Sequence, residues 1–417
     1  MRSTITAAAL TMLLGGTLAT AQAATISISC GAVGLELKLC QDGANAWAQA
    51  TGNQVNVIST PNSATERLAL YQQMLAANSA DVDVFQIDVI WPGILGNHFI
   101  DLSEHIDQAE IDQHFPAIIE NNTVDGALVA MPWFTDAGVL YYRKDLLAKY
   151  GLEVPGTYPE LAETTRRVLD GEADPDLLGF LWQGKQYEGL VCVALEVLSS
   201  FDGYVLDGDR IGIAEPAARR AFRFLRDLLV DGISPPMVTS ADEEATRTVF
   251  GEGRAVFLRN WVYAWNLFER EGSEVEGRVG VAPIPPGPRG TGGATLGGWQ
   301  LGISRSSSKQ EQAWKLIAFL SRPESQAYLN RTIGYRPSRR SLYLASESSG
   351  GSEEGPLLPR LLPIIEHARP RPVTPLYLAI SQTLQSEISA IVAGIKDVDE
   401  ALEDARREIA FILEEAP

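Results

Sequence analysis

Along the first third of the chain, the hydrophobic and polar positions repeat a strand-then-helix pattern. A short apolar alternation at 25–29 gives way to the turn from Gly31 to Gly34, then to apolar residues at helical spacing through Leu35, Leu39 and Trp47. The next strand, 54–59 (QVNVIS), leads into Ser63-Ala64-Thr65-Glu66. That is a capping box, and it predicts a helix running through Leu68, Leu70 and Leu75. A third strand, 82–88 (VDVFQID), is apolar enough to be buried on both faces. Alternating units of this kind predict an α/β fold with a largely parallel sheet and right-handed crossovers.

A second α/β region begins near Gly138. Pro159 and Pro216 sit in the first turns of predicted helices (PELAETTRRVLD and PAARRAFRFLRDLLVDG), the latter closed by Gly232. Strands are predicted at 177–183 and 255–258. The Pro/Gly-rich stretch 283–298 reads as an exposed loop, followed by a strand at 299–303 and helices at 310–320 and 324–331. The polar stretch 346–355 reads as a surface loop, and the tail as helices at 376–393 and 398–415. Between the two regions, MPWFTDAGVLYYRKDLL (131–147) reads as a strand end, a short crossing segment, a new strand and a helix start.

The first residues suggest export. Arg2, an apolar run at 5–18 and Ala21-Gln22-Ala23 have the layout of a cleaved leader, so 1–23 is expected to be a signal peptide. No cysteine follows the cut to carry a lipid anchor, so a freely diffusing periplasmic protein is expected. The formal charge of −19 disfavours nucleic acid and anionic membranes as partners. Of three cysteines, an oxidising compartment permits a Cys30–Cys40 disulfide; two buried thiols fit the sequence equally.

In an open α/β sheet, ligands bind at the carboxyl ends of strands. Asp88 ends the third strand, Glu36 lies just past the first, Arg67 follows the second, and Phe134 and Asp136 follow the fourth, at 128–131. Acids near helix N-termini also serve as dipole partners. The facing wall is expected to be aromatic, from Trp182 and Tyr187 in WQGKQY, Trp261 and Tyr263, and Gly298-Trp299. Rings suit the C–H faces of a sugar, and carboxylates with an arginine fork suit its hydroxyls. The run 369–377 (RPRPVTPLY) stiffens the backbone around Arg371, a candidate to reach across the cleft.

Other chemistries find little support. The four histidines show no HExxH or Cys/His ligand spacing, and GxSxG and GxxxxGK[ST] are absent. No metal, cofactor or catalytic group is expected. A glycoside hydrolase using Asp88 and Asp136 as paired carboxylates is the alternative reading.

The runs TERLALYQQML, DVFQIDVIWPG, MPWFTDAGVLYYRKDLL, FGEGRAVFLRNWVYAW, GGWQLGIS and RPRPVTPLY, in this order, resemble the sugar-binding proteins of ABC importers, within them the trehalose/maltose-binding type. The resemblance implies a two-lobe periplasmic-binding-protein fold, each lobe a mainly parallel sheet flanked by helices, joined by a multi-segment hinge. It implies lobes at 24–133 plus 299–338 and 134–298 plus 339–417, with crossings near 131–137, 294–299 and 333–341. The family's ligand positions fall on Glu36, Arg67, Asp88, Asp136, Trp261, Tyr263, Gly298, Trp299 and Arg371, with Phe134 where a tyrosine is familiar. The implied ligand is a trehalose-, maltose- or sucrose-type disaccharide, with another oligosaccharide or a polyol as alternatives. The implied partner is a membrane permease, and the protein is expected to be a monomer.

Overall fold

The computed structural model describes residues 23–208, 210–289, 292–347, 357–372 and 374–415. The expected leader up to Gln22 and the polar loop from 348 onward lie outside the described residues. Among the described residues nine strands join into one sheet: β1 (Thr25–Cys30), β2 (Gln54–Ser59), β3 (Val84–Asp88), β4 (Met131–Arg143), β5 (Leu178–Leu181), β6 (Ala255–Trp261), β7 (Val279–Pro283), β8 (Leu296–Ile303) and β9 (Arg336–Pro337). Their order is β2-β1-β3-β8-β4-β6-β5, and β7 and β9 also pair with β4. Ten of the described helices are α1 (Glu36–Thr51), α2 (Ala64–Ala76), α3 (Tyr158–Glu172), α4 (Glu188–Ser200), α5 (Pro216–Val230), α6 (Glu243–Gly251), α7 (Gln310–Ser321), α8 (Pro323–Ile333), α9 (Tyr377–Val392) and α10 (Val398–Glu414).

The predicted local signals appear where the sequence put them. The Ser63 hydroxyl accepts from the Glu66 amide at the start of α2. Pro159 and Pro216 stand in the first turns of α3 and α5, and Gly232 takes a left-handed φ of 70° just past α5. β1 pairs in parallel with β2 and β3, and β6 in parallel with β5, whereas the pairings to β4 and β8 are antiparallel.

β4 divides the sheet into two halves. Its first part, Met131 to Ala137, pairs with β8, and β9 pairs beside it at Phe134 and Thr135. From Gly138 onward the partners are β6 and β7. The expected break within 131–147 is therefore absent: one strand of 13 residues runs through both halves. Apart from a bulge at Trp133, it has a ladder partner along its length, first β8 and then β6 and β7, so the chain has no reason to leave the sheet.

The 283–298 stretch also differs from its expectation. β8 begins at Leu296 rather than at 299, and Ile284, Pro285 and Gly287 are buried. The Pro286 carbonyl accepts from the Tyr158 amide at the head of α3, which ties the segment down although it forms no regular element.

Candidate ligand cleft between the two sheet halves

The carboxyl ends of the strands open into a cleft with an empty volume of about 620 Å³, open solvent included. Glu36 at the start of α1, Asp88 at the end of β3, and Phe134 and Asp136 inside β4 all line it. Trp261 ends β6, Tyr263 follows it, and Gly298 and Trp299 lie in β8; these too face the cleft. Gly298 has φ +124°, and a Cβ there would stand 2.6 Å from the Phe134 carbonyl oxygen. Only glycine lets β8 lie this close to β4 at the crossing.

The wall from the first half is built on Arg67. Its guanidinium lies 4.2 Å over the Trp299 ring, and its Nε and Nη2 donate to the Pro61 carbonyl at 3.1 and 3.0 Å. Nη2 also reaches Glu36 Oε2 at 3.5 Å. Burial pushes the Glu36 carboxyl up to about 7, against the opposing pull of Arg67. Trp91 stands edge-on to Trp299 with centroids 5.5 Å apart, a second contact that holds the indole.

The second half repeats the device. Arg259 sits 4.3 Å over the Trp261 ring and makes two bonds to Glu196, at 2.7 and 2.6 Å. Each tryptophan platform is thus backed by a buried arginine paired with a glutamate. Beside Trp261, Glu243 accepts from Tyr187 Oη at 2.6 Å and from Trp261 Nε1 at 3.3 Å, and burial raises its carboxyl. The Tyr263 hydroxyl donates to Glu244, and its ring stacks on Tyr335, centroids 6.2 Å apart.

Asp136 stands between the walls. Its Oδ1 accepts from the Val262 and Ala137 amides, both at 2.8 Å. Burial nevertheless raises this carboxyl to about 6. Arg371, only 2 % exposed, donates from Nη2 to Asp88 and from Nη1 to Glu188 at 3.0 Å.

Of the residues singled out in the sequence, the cleft collects Glu36, Asp88, Phe134, Asp136, Tyr187, Trp261, Tyr263, Gly298, Trp299 and Arg371. Arg67 does not line it but backs the Trp299 ring. Trp182 is a correction: it is fully buried away from the cleft, and its Nε1 donates to Ser234 Oγ at 2.9 Å. The hydroxyl that satisfies its indole comes from the segment after α5, so the ring packs into the core instead of the wall. Sequence reasoning missed Glu188, Glu243 and Tyr335. Glu188 and Glu243 open α4 and α6, where an acid reads as an ordinary dipole partner.

Cys30 and Cys40 are joined in a disulfide between β1 and α1. Cys192 is free and lines the cleft, and burial raises its thiol, which keeps it protonated. Among the described residues, no group of three or more His, Cys, Asp or Glu is placed to hold a metal ion. No described helix is long and apolar enough to cross a membrane.

Comparison with known proteins gives concordant matches. The family described as bacterial extracellular solute-binding protein matches residues 39–327. The chain is 40 % identical over 400 residues to a probable ABC transporter-binding protein of Deinococcus radiodurans, covering 94 % of each. The maltose-bound structure of T. maritima MalE3 superposes with a TM-score of 0.89 at 39 % identity, over 94 % of this chain and all of that one. A solute-binding protein of Thermotoga lettingae bound with α-D-tagatose shares the fold, with a TM-score of 0.84 at 22 % identity over 94 % of this chain and all of that one.

Proposed function

Because this chain belongs to the bacterial extracellular solute-binding protein family, a family of binding proteins and not of enzymes, we propose that it is the receptor of an ABC importer for a neutral sugar or polyol, specifically an α-linked glucose disaccharide of the maltose or trehalose type. The observation that carries the ligand class is the cleft itself. Trp299 from one half and Trp261 with Tyr263 from the other supply rings, and Glu36, Asp136 and Glu243 supply acceptors between them. A sugar presents apolar C–H faces to rings and hydroxyl donors to carboxylates, so it uses both sets at once.

Charge narrows the class further. Among the described residues lining the cleft, Arg371 is the one cation, and Asp88 and Glu188 already neutralise it. A phosphate or carboxylate ligand would meet a surplus of acids. The likeness to maltose-bound MalE3 supports the disaccharide reading.

In this reading the two halves are lobes, divided as 24–133 plus 299–338 and 134–298 plus 339–417, and they close on the ligand about the segments near 131–137, 294–299 and 333–341. The protein works as an exported periplasmic monomer, released from a leader cut near Ala23, and delivers its ligand to the permease subunits. Calorimetric titration with trehalose, maltose, sucrose, mannitol and a disaccharide phosphate tests the proposal. One neutral disaccharide should bind 1:1 and be recovered intact. Binding of the phosphate ester alone, or release of glucose, would refute it.

A further inference from the structure

The Cys30–Cys40 disulfide brackets a segment on which the first wall of the cleft depends. Cys30 is the last residue of β1, and Cys40 lies in the second turn of α1, 10 residues on. Between them the chain turns through Gly31 and Gly34, the latter with φ +57°, and brings Val33 and Glu36 to the cleft. The two ends of this segment are unequally held. β1 is laddered to β2 along its whole length, and the Cys30 carbonyl accepts from both the amide and the hydroxyl of Thr60, each at 2.9 Å. α1 starts without a side-chain cap, because Leu35 stands at that position and makes no such bond. A helix start with unsatisfied amides frays unless something else holds it.

The hydrogen bonds nearby stop short of the helix. The Gly31 amide donates to Gln86 Oε1 at 2.6 Å, and Tyr335 Oη donates to the Val33 carbonyl at 2.9 Å. The disulfide alone ties the second turn of α1 covalently to the end of β1, and a tie across so short a loop removes most of the conformations open to it. Glu36 lies inside that loop. Its Oε2 stands 3.5 Å from Arg67 Nη2, and the Arg67 guanidinium backs the Trp299 ring. Drift at the start of α1 would therefore loosen a carboxylate and an aromatic platform together. The rest of α1 packs through Leu39, Ala44 and Trp47, so the fold does not hang on the bond.

We propose that the Cys30–Cys40 disulfide is a positioning device for the ligand site, and that the protein acquires its full affinity only when the bond has formed. The proposal rests on the reading of the chain as an exported sugar receptor. In the bond-forming step the two thiols lose two protons and two electrons and gain the Sγ–Sγ bond, while the disulfide of an external thiol oxidant is reduced to two thiols. Protein held in a reducing compartment keeps Glu36 loosely placed and binds weakly. Both cysteines are fully buried, so the folded protein shields the bond from reductant, and affinity is set once, during maturation.

Calorimetric titration with trehalose and with maltose, on the exported protein and on its Cys30→Ala/Cys40→Ala variant, is the primary test. The variant should bind about tenfold more weakly at a temperature where it is fully folded. In a double-mutant cycle, loss of the bond should change affinity within about twofold once Glu36→Gln is in place, since the bond acts through Glu36. Dithiothreitol added to the folded native protein should leave affinity unchanged. A lower melting temperature with unchanged affinity, additive effects in the cycle, or loss of affinity on adding dithiothreitol without denaturant would overturn the proposal. Native protein refolded in dithiothreitol replaces the variant if alanine at these positions prevents folding; if neither folds, the fold does hang on the bond and the proposal falls. Hydrogen exchange without sugar gives a separate readout. The Glu36 and Leu39 amides, bonded to the Val33 and Leu35 carbonyls, should exchange faster in the variant while those of α2 keep their native rates. Failure of both sugars to bind native protein, with exchange changed as expected, would strike the functional reading and leave the pinning of α1 standing.

Discussion

The Arg67 guanidinium sits 4.2 Å over the Trp299 ring while its Nη2 stands 3.5 Å from Glu36. One buried cation therefore fixes both an aromatic platform and a carboxylate of the same wall. Gly31 leaves the room for it, because a Cβ there would stand 2.0 Å from Glu36 Oε2 and 2.2 Å from Arg67 Nη2. Gly31→Ala should keep the fold, since the groups in its way are side-chain ends. It should displace the pair and weaken disaccharide binding by about tenfold, roughly 1.4 kcal/mol. Calorimetry beside a melting curve separates the two effects.

The two tryptophans named together in the sequence should respond oppositely. Trp299→Ala removes a cleft ring and should cost about 1–3 kcal/mol of binding, along with much of the ligand-induced fluorescence change. Trp182→Phe strands the Ser234 hydroxyl in the core and should lower the melting temperature while leaving affinity within about twofold. Equal losses of affinity in the two variants would contradict the placement of Trp182 outside the cleft.

Proton linkage gives a third prediction. Glu36 and Asp136, raised to about 7 and about 6, accept ligand hydroxyls best when ionised. Binding should therefore release protons near pH 6.5, and affinity should rise from pH 5 to pH 8. Titrations in two buffers of different ionisation enthalpy measure the release directly.

The same groups act on stability with the opposite slope. A carboxyl whose folded value lies above its ordinary 4.5 holds its proton longer in the native state than in the unfolded chain. Its contribution is full below pH 4.5 and is lost as pH climbs through 7. His114, lowered by burial to about 4 from 6.5, works the other way: its contribution is lost as pH falls from 6.5 through 4. Glu36→Gln should flatten the decline between pH 4.5 and 7 in urea unfolding of the ligand-free protein. An unchanged slope would mean that Glu36 ionises normally.

Gly298 carries a fifth. Alanine there would force a side chain onto φ +124° and against the backbone of Phe134 and Thr135. Gly298→Ala should cost about 1–3 kcal/mol of stability and weaken binding as well, because Trp299 follows directly. Denaturant unfolding and calorimetry on the same sample check both.

Much of the architecture was legible before any coordinates. Alternating strands and helices, the Ser63 cap and the first-turn prolines are local patterns, set by the backbone conformations that neighbouring residues prefer. The rule that ligands meet strand ends then selected Glu36 and Asp88 from order along the chain alone, and both line the cleft; Asp136 lines it too, but from inside β4 and not from the expected strand end at 131.

Packing between distant segments decided the rest. Trp182 directly follows β5 and Trp261 ends β6, yet Ser234 draws one into the core while Arg259 backs the other as a platform. The proline-flanked run made Arg371 a candidate to reach across the cleft but not its partners; its carboxylates lie 283 and 183 residues away in sequence, and no local pattern encodes such a meeting. Glu188 looks like any acid at a helix start until Tyr377 and Ser381 close around it. Periodicity reports which face of an element is buried. Which buried charge meets which partner depends on how the finished halves come together, because a charge leaves water only where a partner waits for it.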